Sequence, residues 1–198
     1  MSDVLPTVEL VADRTTAFPT GPRVVRFADG HAADDGRLVR AAREGDRAAF
    51  SSLYERYARV VHGLLLARVG RDNVDDLVQD VFLTAWQRLD DLRDPAAFGG
   101  WIVMITRNRA VDFHRHSTLF VELPEHLPVP GGAAERAEAH AALDAIRALP
   151  DAYRETLMLR LVEGLSGPEI AMRTGLTPAS VRVNLHRGMK LLREKLQR

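Results

Sequence analysis

The chain lacks cysteine, net charge and long apolar runs. With no cysteine among 198 residues, disulfides and thiol catalysis are excluded, which fits a reducing compartment. Its 27 basic and 27 acidic side chains balance, so the chain as a whole exerts no general attraction on nucleic acid. No apolar run approaches the ~18 residues that a membrane span needs, and the N-terminus shows no secretory leader. We therefore expect a cytoplasmic protein without membrane insertion.

The charges are unevenly distributed along the sequence. Acidic side chains cluster in the middle, at Asp72, Asp75, Asp76, Asp80, Asp90 and Asp91. Basic side chains crowd the C-terminus, at Arg182, Arg187, Lys190, Arg193, Lys195 and Arg198. This asymmetry predicts one acidic surface that faces a partner and one surface that faces an anion.

Helical periodicity predicts an all-α fold of two small helical domains joined by a flexible linker. Residues 1–33 contain prolines and glycines without an apolar period, and we expect a disordered extension there. The first domain covers 34–116, with Asp35 placed to cap its first helix. Residues 117–133 include VELPEHLPVPGG and form the linker. The second domain covers 134–198.

The clearest motif lies in the second domain, between Glu163 and Leu196, and contains two marked helix starts. Ser166 and Glu169 stand in the S-x-x-E relation of a capping box. Gly175 supplies the left-handed residue that ends this helix, and Thr177 before a proline caps the next one. Two helices joined by such a turn form a helix-turn-helix, whose second helix enters the DNA major groove.

The second helix of this motif has one apolar and one basic face. The predicted inward residues are Val181, Leu185, Met189, Leu192 and Leu196. Arginine and lysine can neutralise phosphates or bind guanine, asparagine suits adenine, and an outward valine suits the thymine methyl. A solvated basic face is the alternative, but the two caps and the outward valine favour DNA binding. The DNA-facing candidates are Arg182, Val183, Asn184, His186, Arg187 and Lys190.

Gly188 lies in the interior of this helix, where glycine costs about 1 kcal/mol in helix propensity. Propensity does not explain it, so we expect a close approach to another group at this position.

A second motif, NVDDLVQDVFLTAWQRL, predicts an amphipathic helix in the acidic middle of the chain. Its apolar stripe runs from Val74 to Leu89 and includes Trp86. The opposite face is acidic and amidic around one bare leucine, which favours a partner-docking surface over a purely solvated one. No histidine joins these aspartates at ligand spacing, so no metal site is expected. The docking candidates are Asp76, Gln79, Asp80, Leu83 and Gln87.

A break at Leu92 to Ala96 precedes a further helix. That helix carries Arg107, Asn108, Arg109 and Arg115 near aromatic side chains. Such a composition fits a nucleic-acid surface, and an ordinary amphipathic helix explains it equally well.

Three motifs, in this order, resemble bacterial RNA polymerase sigma factors of the extracytoplasmic-function (ECF) type. DDLVQDVFLTAW is similar to the core-binding helix of that family, and PAAFGGWIVMITRNRAVDFHRH to its melting and minus-ten segment. The stretch from LPDAYRETLMLRL to the C-terminal helix resembles its minus-thirty-five reader. Three matches in sequence are more specific than a lone helix-turn-helix.

The resemblance implies a promoter-specificity subunit without catalytic activity or cofactor. The docking candidates would bind the β′ coiled coil of core RNA polymerase, and the last-helix candidates would read the minus-thirty-five element of promoter DNA. Arg93 and Asp94 match the loop that captures a flipped non-template base, and Asn108 matches another minus-ten position. The strand backbone would be held by Arg107, Arg109 and Arg115.

The resemblance further implies an anti-sigma factor as a partner and a linker that follows the RNA-exit path of the polymerase. The family often has Ser-Arg where this chain has Val183 and Asn184, so its promoter sequence does not transfer.

Two other classes of protein compete with this interpretation. A free-standing helix-turn-helix regulator would bind duplex DNA unaided with half-site symmetry, but it leaves the docking candidates unexplained. An enzyme is disfavoured, because the seven histidines show no metal spacing and the chain has no phosphate loop or nucleophile motif.

Overall fold

The computed structural model describes residues 31–117 and 133–197, and within them the fold is all-α, as predicted. No strand occurs in these two ranges, and no helix in them is long and apolar enough to cross a membrane. Short 3₁₀ turns lie at Arg71–Asn73, Leu89–Asp91 and Pro95–Ala97. The helices are α1 (His31–Arg43), α2 (Arg47–Leu66), α3 (Val74–Gln87), α4 (Phe98–Ser117), α5 (Ala133–Arg147), α6 (Asp151–Leu161), α7 (Gly167–Thr174) and α8 (Pro178–Leu196).

The expectations for the extension and the linker fall mostly outside the described residues. At the start of the described residues, helix α1 begins at His31, which lies inside the segment 1–33 that was predicted to be disordered. Asp35 therefore lies within α1, and its predicted capping role is wrong. Its buried carboxylate instead accepts hydrogen bonds from the Arg56 guanidinium and the Tyr57 hydroxyl. Burial, reinforced by the nearby carboxylate, raises the pKa of Tyr57.

Helix α2 is the centre of the packing. It contacts α1, α3 and α4 of the first half of the chain (31–117), and α6 and α7 of the second half (133–197). Its N-terminus is capped by Asp46, which accepts the backbone N–H groups of Ala48 and Ala49 at 2.9 and 3.2 Å. The apolar stripe of α3 packs against it, with Val81 and Ala85 fully buried.

The helix-turn-helix caps form as predicted. The Ser166 hydroxyl accepts the Glu169 N–H at 3.4 Å, and the Glu169 carboxylate accepts the Ser166 N–H at 2.8 Å. Hydrogen bonds from the Ser166 side chain and backbone lower the pKa of Glu169. Gly175 adopts φ +87° at the end of α7, and Thr177 accepts the Ser180 N–H at 3.1 Å. These local bonds set the turn that presents α8.

Helix α8 approaches α6 closely at Gly188. A β-carbon there would lie 3.0 Å from Leu157 Cδ1 and 3.2 Å from Tyr153 Cβ. The glycine thus allows α8 to pack directly on α6, which explains its place in a helix interior. At the far end of α8, Leu196 is 56% exposed, and its predicted inward orientation is wrong. It lies one turn beyond Leu192, the last buried residue of α8.

We predict opposite effects of alanine at two helical glycines. Gly188→Ala forces contacts with α6 and costs about 1–3 kcal/mol through overpacking, which exceeds the propensity gain of about 1 kcal/mol. Gly100→Ala in α4 is the control, because its β-carbon would meet nothing within 4 Å and only the propensity gain remains. Urea unfolding of both variants measures the difference. If Gly188→Ala stabilises the protein as much as Gly100→Ala does, the close approach has no energetic consequence.

Candidate functional site

The five docking candidates lie on the side of α3 that faces away from α2. Asp76, Gln79 and Gln87 are exposed, Asp80 is half-buried, and Leu83 is 55% exposed. This face is acidic and amidic around an apolar centre. It can form charge-assisted bonds at its edges and bury a leucine in the middle, which is the usual pattern of a protein interface.

Two aromatic side chains on α3 and on the neighbouring α2 are also exposed. Trp86 is 39% exposed, although the stripe predicted it to be inward, and Tyr54 of α2 is 41% exposed. The rings pack edge-on or tilted against Phe50 and Phe82, at centroid distances of 4.8 and 4.5 Å. Their exposure is not visible in the sequence, because their apolar spacing matches that of core residues. Exposed tryptophan and tyrosine are typical interface anchors.

One docking candidate contacts one minus-ten candidate. The Asp80 carboxylate forms a salt bridge with Arg109 of α4, and both side chains remain over 40% exposed. At such exposure an ion pair contributes at most about 1 kcal/mol. A partner that binds either side chain can therefore separate the pair at low cost.

The structure does not bring the six minus-ten candidates onto one surface. Arg93 and Asp94 are exposed in the break before α4, where Asp94 also caps the turn by accepting the Ala96 N–H at 3.0 Å. On α4, Asn108 and Arg115 are exposed and lie on the same side at 100° per residue. The other two candidates, Arg107 and Arg109, point to α6 and α3 respectively.

Arg107 is engaged by the C-terminal half of the chain. Its Nη2 donates to Glu155 Oε2 of α6 at 2.7 Å, and Glu155 also accepts from Arg68. Glu155 is only 7% exposed. No sequence motif marks Glu155 or Arg68, because their pairing joins segments 87 positions apart in the chain.

Helix α8 presents most of its DNA-facing candidates to solvent. Arg182, Val183, His186, Arg187 and Lys190 are all exposed, and Val183 is 45% exposed. Asn184 differs, since it is half-buried and its Nδ2 donates to Thr156 Oγ1 of α6 at 3.4 Å. A basic helix face with one outward apolar side chain, held by α6 and α7, can enter a major groove.

Comparison with known proteins gives the family of the chain. The Sigma-70 region 2 family matches residues 53–119, and the Sigma-70 region 4 family matches residues 139–192. RNA polymerase sigma factor NccH of Alcaligenes xylosoxydans xylosoxydans is 32% identical over 181 residues, covering 82% of this chain and 95% of that protein. The ECF RNA polymerase sigma factor BldN of Streptomyces coelicolor is 30% identical over 179 residues, covering 83% of this chain and 67% of that protein. The chain belongs to the ECF-type RNA polymerase sigma factors.

Other similarities agree with this assignment. A sigma-factor relative from Xanthomonas campestris is 38% identical over 134 residues, which are 62% of this chain and 34% of that protein. In the structure of CnrH in complex with the cytosolic domain of CnrY, the sigma factor chain superposes with a TM-score of 0.58 at 27% identity. That match covers 83% of this chain and 97% of CnrH.

The two halves of this sigma factor pack closely on each other. Val60, Leu64 and Val103 from the first half contact Leu159 and its neighbours from the second, and all are buried. We call this apolar contact the seam; its remaining members are Leu165, Ile170, Ala171 and Val181.

A histidine–carboxylate pair lies beside the seam. His62 Nδ1 is 2.6 Å from Glu163 Oε1, and Arg59 lies 4.0 Å from the other oxygen. The hydrogen bond with Glu163 raises the pKa of His62 above its ordinary value of 6.5, against the opposing effect of burial. Asp75 raises it further and Arg71 lowers it.

This pair predicts a pH-dependent contact between the halves. Because the pKa of His62 is higher in the folded state, the stabilisation is complete below the unfolded value and is lost as pH rises through the folded value. We expect Glu163→Gln to return the pKa of His62 toward its ordinary value, measured by NMR titration of the imidazole. Glu138→Gln, an exposed change on α5, is the control and should leave the titration unchanged. An unmoved His62 titration in Glu163→Gln would refute the pairing.

Proposed function

We propose that this sigma factor binds core RNA polymerase and directs it to promoters by reading the minus-thirty-five element and melting and trapping the minus-ten strand. The observation that carries the proposal is the occurrence of both family regions in one chain, in order, with their candidate contact faces exposed on α3 and α8. It would act without catalytic activity of its own, in the cytoplasm where polymerase and DNA are found.

The domain division that we propose follows the same two regions. Residues 34–116 would form the core-binding and minus-ten domain, and residues 134–198 the minus-thirty-five domain. The matched stretches 53–119 and 139–192 fall largely within these limits. Residues 117–133 would connect them along the RNA-exit path.

Polymerase binding would use the outward face of α3. The exposed Leu83 and Trp86 would enter an apolar site on the β′ coiled coil, while Asp76 and Asp80 would meet basic side chains at its edge. Promoter contact would divide between two places, the region around the break before α4 and the exposed face of α8. In the first, Arg93, Asp94 and Asn108 would hold the minus-ten strand and a base flipped out of it. Extrusion of that base costs a few kcal/mol.

A protein partner that restrains the sigma factor is part of the proposal. The matched structure contains CnrH bound to the cytosolic domain of CnrY. A second structure of the same fold contains the sigma factor RpoE with the anti-sigma factor NepR from Bartonella quintana. It matches with a TM-score of 0.51 and 19% identity, and the match covers 75% of this chain and 96% of that chain. We infer that an anti-sigma factor binds this chain too. The free-standing regulator is not favoured, because it has no use for the α3 face.

The α3 face is tested by one leucine substitution. Leu83→Glu puts a carboxylate at the apolar centre of the interface, and we expect core polymerase affinity to fall at least about tenfold. Leu196→Glu is the matched control, since Leu196 is equally exposed, at 56% against 55%. Binding to purified core polymerase is measured by fluorescence anisotropy, with circular dichroism to verify folding. Equal affinities of the Leu83→Glu variant and the parent protein would contradict the proposed interface.

The DNA-reading role of α8 is tested at Arg187. Arg187→Ala should cost about 1–3 kcal/mol at particular base pairs of the minus-thirty-five element, because a bidentate contact to a base edge is lost. The measurement compares a library of promoters bound by the reconstituted holoenzyme with and without the substitution. Lys195→Ala, at the exposed end of α8, is the control and should leave base preferences unchanged. A uniform loss across all sequences would make Arg187 a phosphate contact.

A further inference from the structure

Glu155 is a nearly buried carboxylate between two arginines of the other half of the chain. Its Oε1 accepts from Arg68 Nε and Nη2 at 3.0 and 2.7 Å, and from Arg107 Nε at 3.2 Å. Its Oε2 accepts from Arg107 Nη2 at 2.7 Å. Asp151, also on α6, contacts Arg68 at 2.9 Å. We call the contact of Glu155 with Arg68 and Arg107 the Glu155 bridge.

Two guanidinium groups converging on one carboxylate form an anion site. A DNA phosphate offers the same paired oxygens, and arginine binds carboxylate and phosphate with the same fork geometry. Arg107 is a candidate for holding the minus-ten strand, and the side chain of Arg68 is only 18% exposed beside it. A strand phosphate and Glu155 cannot occupy this site together.

The seam holds Glu155 in this position. Gly63 of α2 lies so close to the second half that a β-carbon there would be 2.9 Å from Leu159 Cδ2 and 2.8 Å from Glu163 Cγ. Two further bonds join the halves away from the carboxylate. Arg173 donates to the Arg56 carbonyl at 2.9 Å, and Arg147 Nε donates to the Leu66 carbonyl at 3.0 Å.

We propose that Arg68 and Arg107 form a phosphate-binding site for the minus-ten strand, and that Glu155 occupies it in the free chain and, together with the seam, holds the two halves closed. The proposal rests on the proposed minus-ten function of α4 and adds Arg68 to it. In the closed chain Glu155 supplies the negative charge between the two guanidinium groups, so a phosphate cannot bind both of them, although the Arg107 side chain keeps 40% exposure. Separation of the halves removes Glu155 and leaves two clustered cations ready for a phosphate.

This arrangement lowers the apparent affinity of the free chain for a single strand. When only a fraction of molecules is open, the apparent dissociation constant rises by the inverse of that fraction. A protein that holds α6 away from α2 therefore increases strand binding without contacting the strand. Loss of the Glu155 charge acts in the same direction.

The closing role is tested first, without DNA or polymerase. The cysteine-free chain accepts a dye pair at Ser51→Cys on α2 and Gln197→Cys after α8, both exposed sites. We expect Glu155→Gln and Arg68→Gln to lengthen and broaden the dye-to-dye distance, whereas Glu138→Gln, the charge-matched control, keeps the parent value. Circular dichroism verifies that helix content is retained. Parent-like distances in both Glu155→Gln and Arg68→Gln would overturn the proposal.

The phosphate site is tested with a short single-stranded DNA oligonucleotide as the probe. Glu155→Gln should bind it about tenfold more tightly than the parent chain, because closed molecules no longer withhold the site. Arg68→Gln also opens the chain but removes one of the two guanidinium groups, so it should gain no affinity. An equal gain in both variants would refute the phosphate role of Arg68. If no variant binds the strand while the distances still change, the minus-ten function fails and the closing contact stands.

Discussion

Between Val60 and Leu66, helix α2 is buried on almost every side, with His62 the one residue that keeps partial exposure. A helix that is apolar all round needs neighbours all round. The first half of the chain supplies α1, α3 and α4, and the remaining side is covered by α6 and α7. Each valine or leucine buried there contributes about 1.5–3 kcal/mol. The position of the second half therefore follows from the composition of these seven residues, about two turns of helix.

Burial of α2 also determines which charged groups meet. Glu155 and Glu163 enter the contact between the halves at 7% and 8% exposure, and buried carboxylates need partners. Arginines and a histidine of the first half provide them. The faces of α3 and α8 that we assign to polymerase and to duplex DNA remain outward, whereas Arg107 of the minus-ten group is turned toward the protein itself. Under the proposed minus-ten role of Arg107, assembly of the two halves and access of the DNA strand to this side chain are physically coupled.

The features predicted from the sequence are those that depend on local pattern. The helix caps at Ser166 and Thr177, the left-handed Gly175 and the outward position of Leu83 all follow from residues within a few positions of each other. The structure added what depends on distant residues. Glu155 and Arg107 are 48 positions apart, so no window of sequence joins them, and Asn184 is withdrawn toward Thr156 from 28 positions away. The inward orientation predicted for Trp86 and Leu196 is wrong, because apolar spacing identifies which side of a helix is apolar. It does not show how far along that side a neighbouring helix extends.

The most direct test of the central claim is run-off transcription with purified core polymerase over a pool of genomic promoters, with and without this protein. A sigma factor that docks through α3 and reads DNA through α8 should produce new, discrete start sites that share two sequence elements at a constant spacing. Sequence-specific binding of the protein alone to duplex DNA, with no new initiation by the polymerase, would contradict the account and indicate a free-standing regulator.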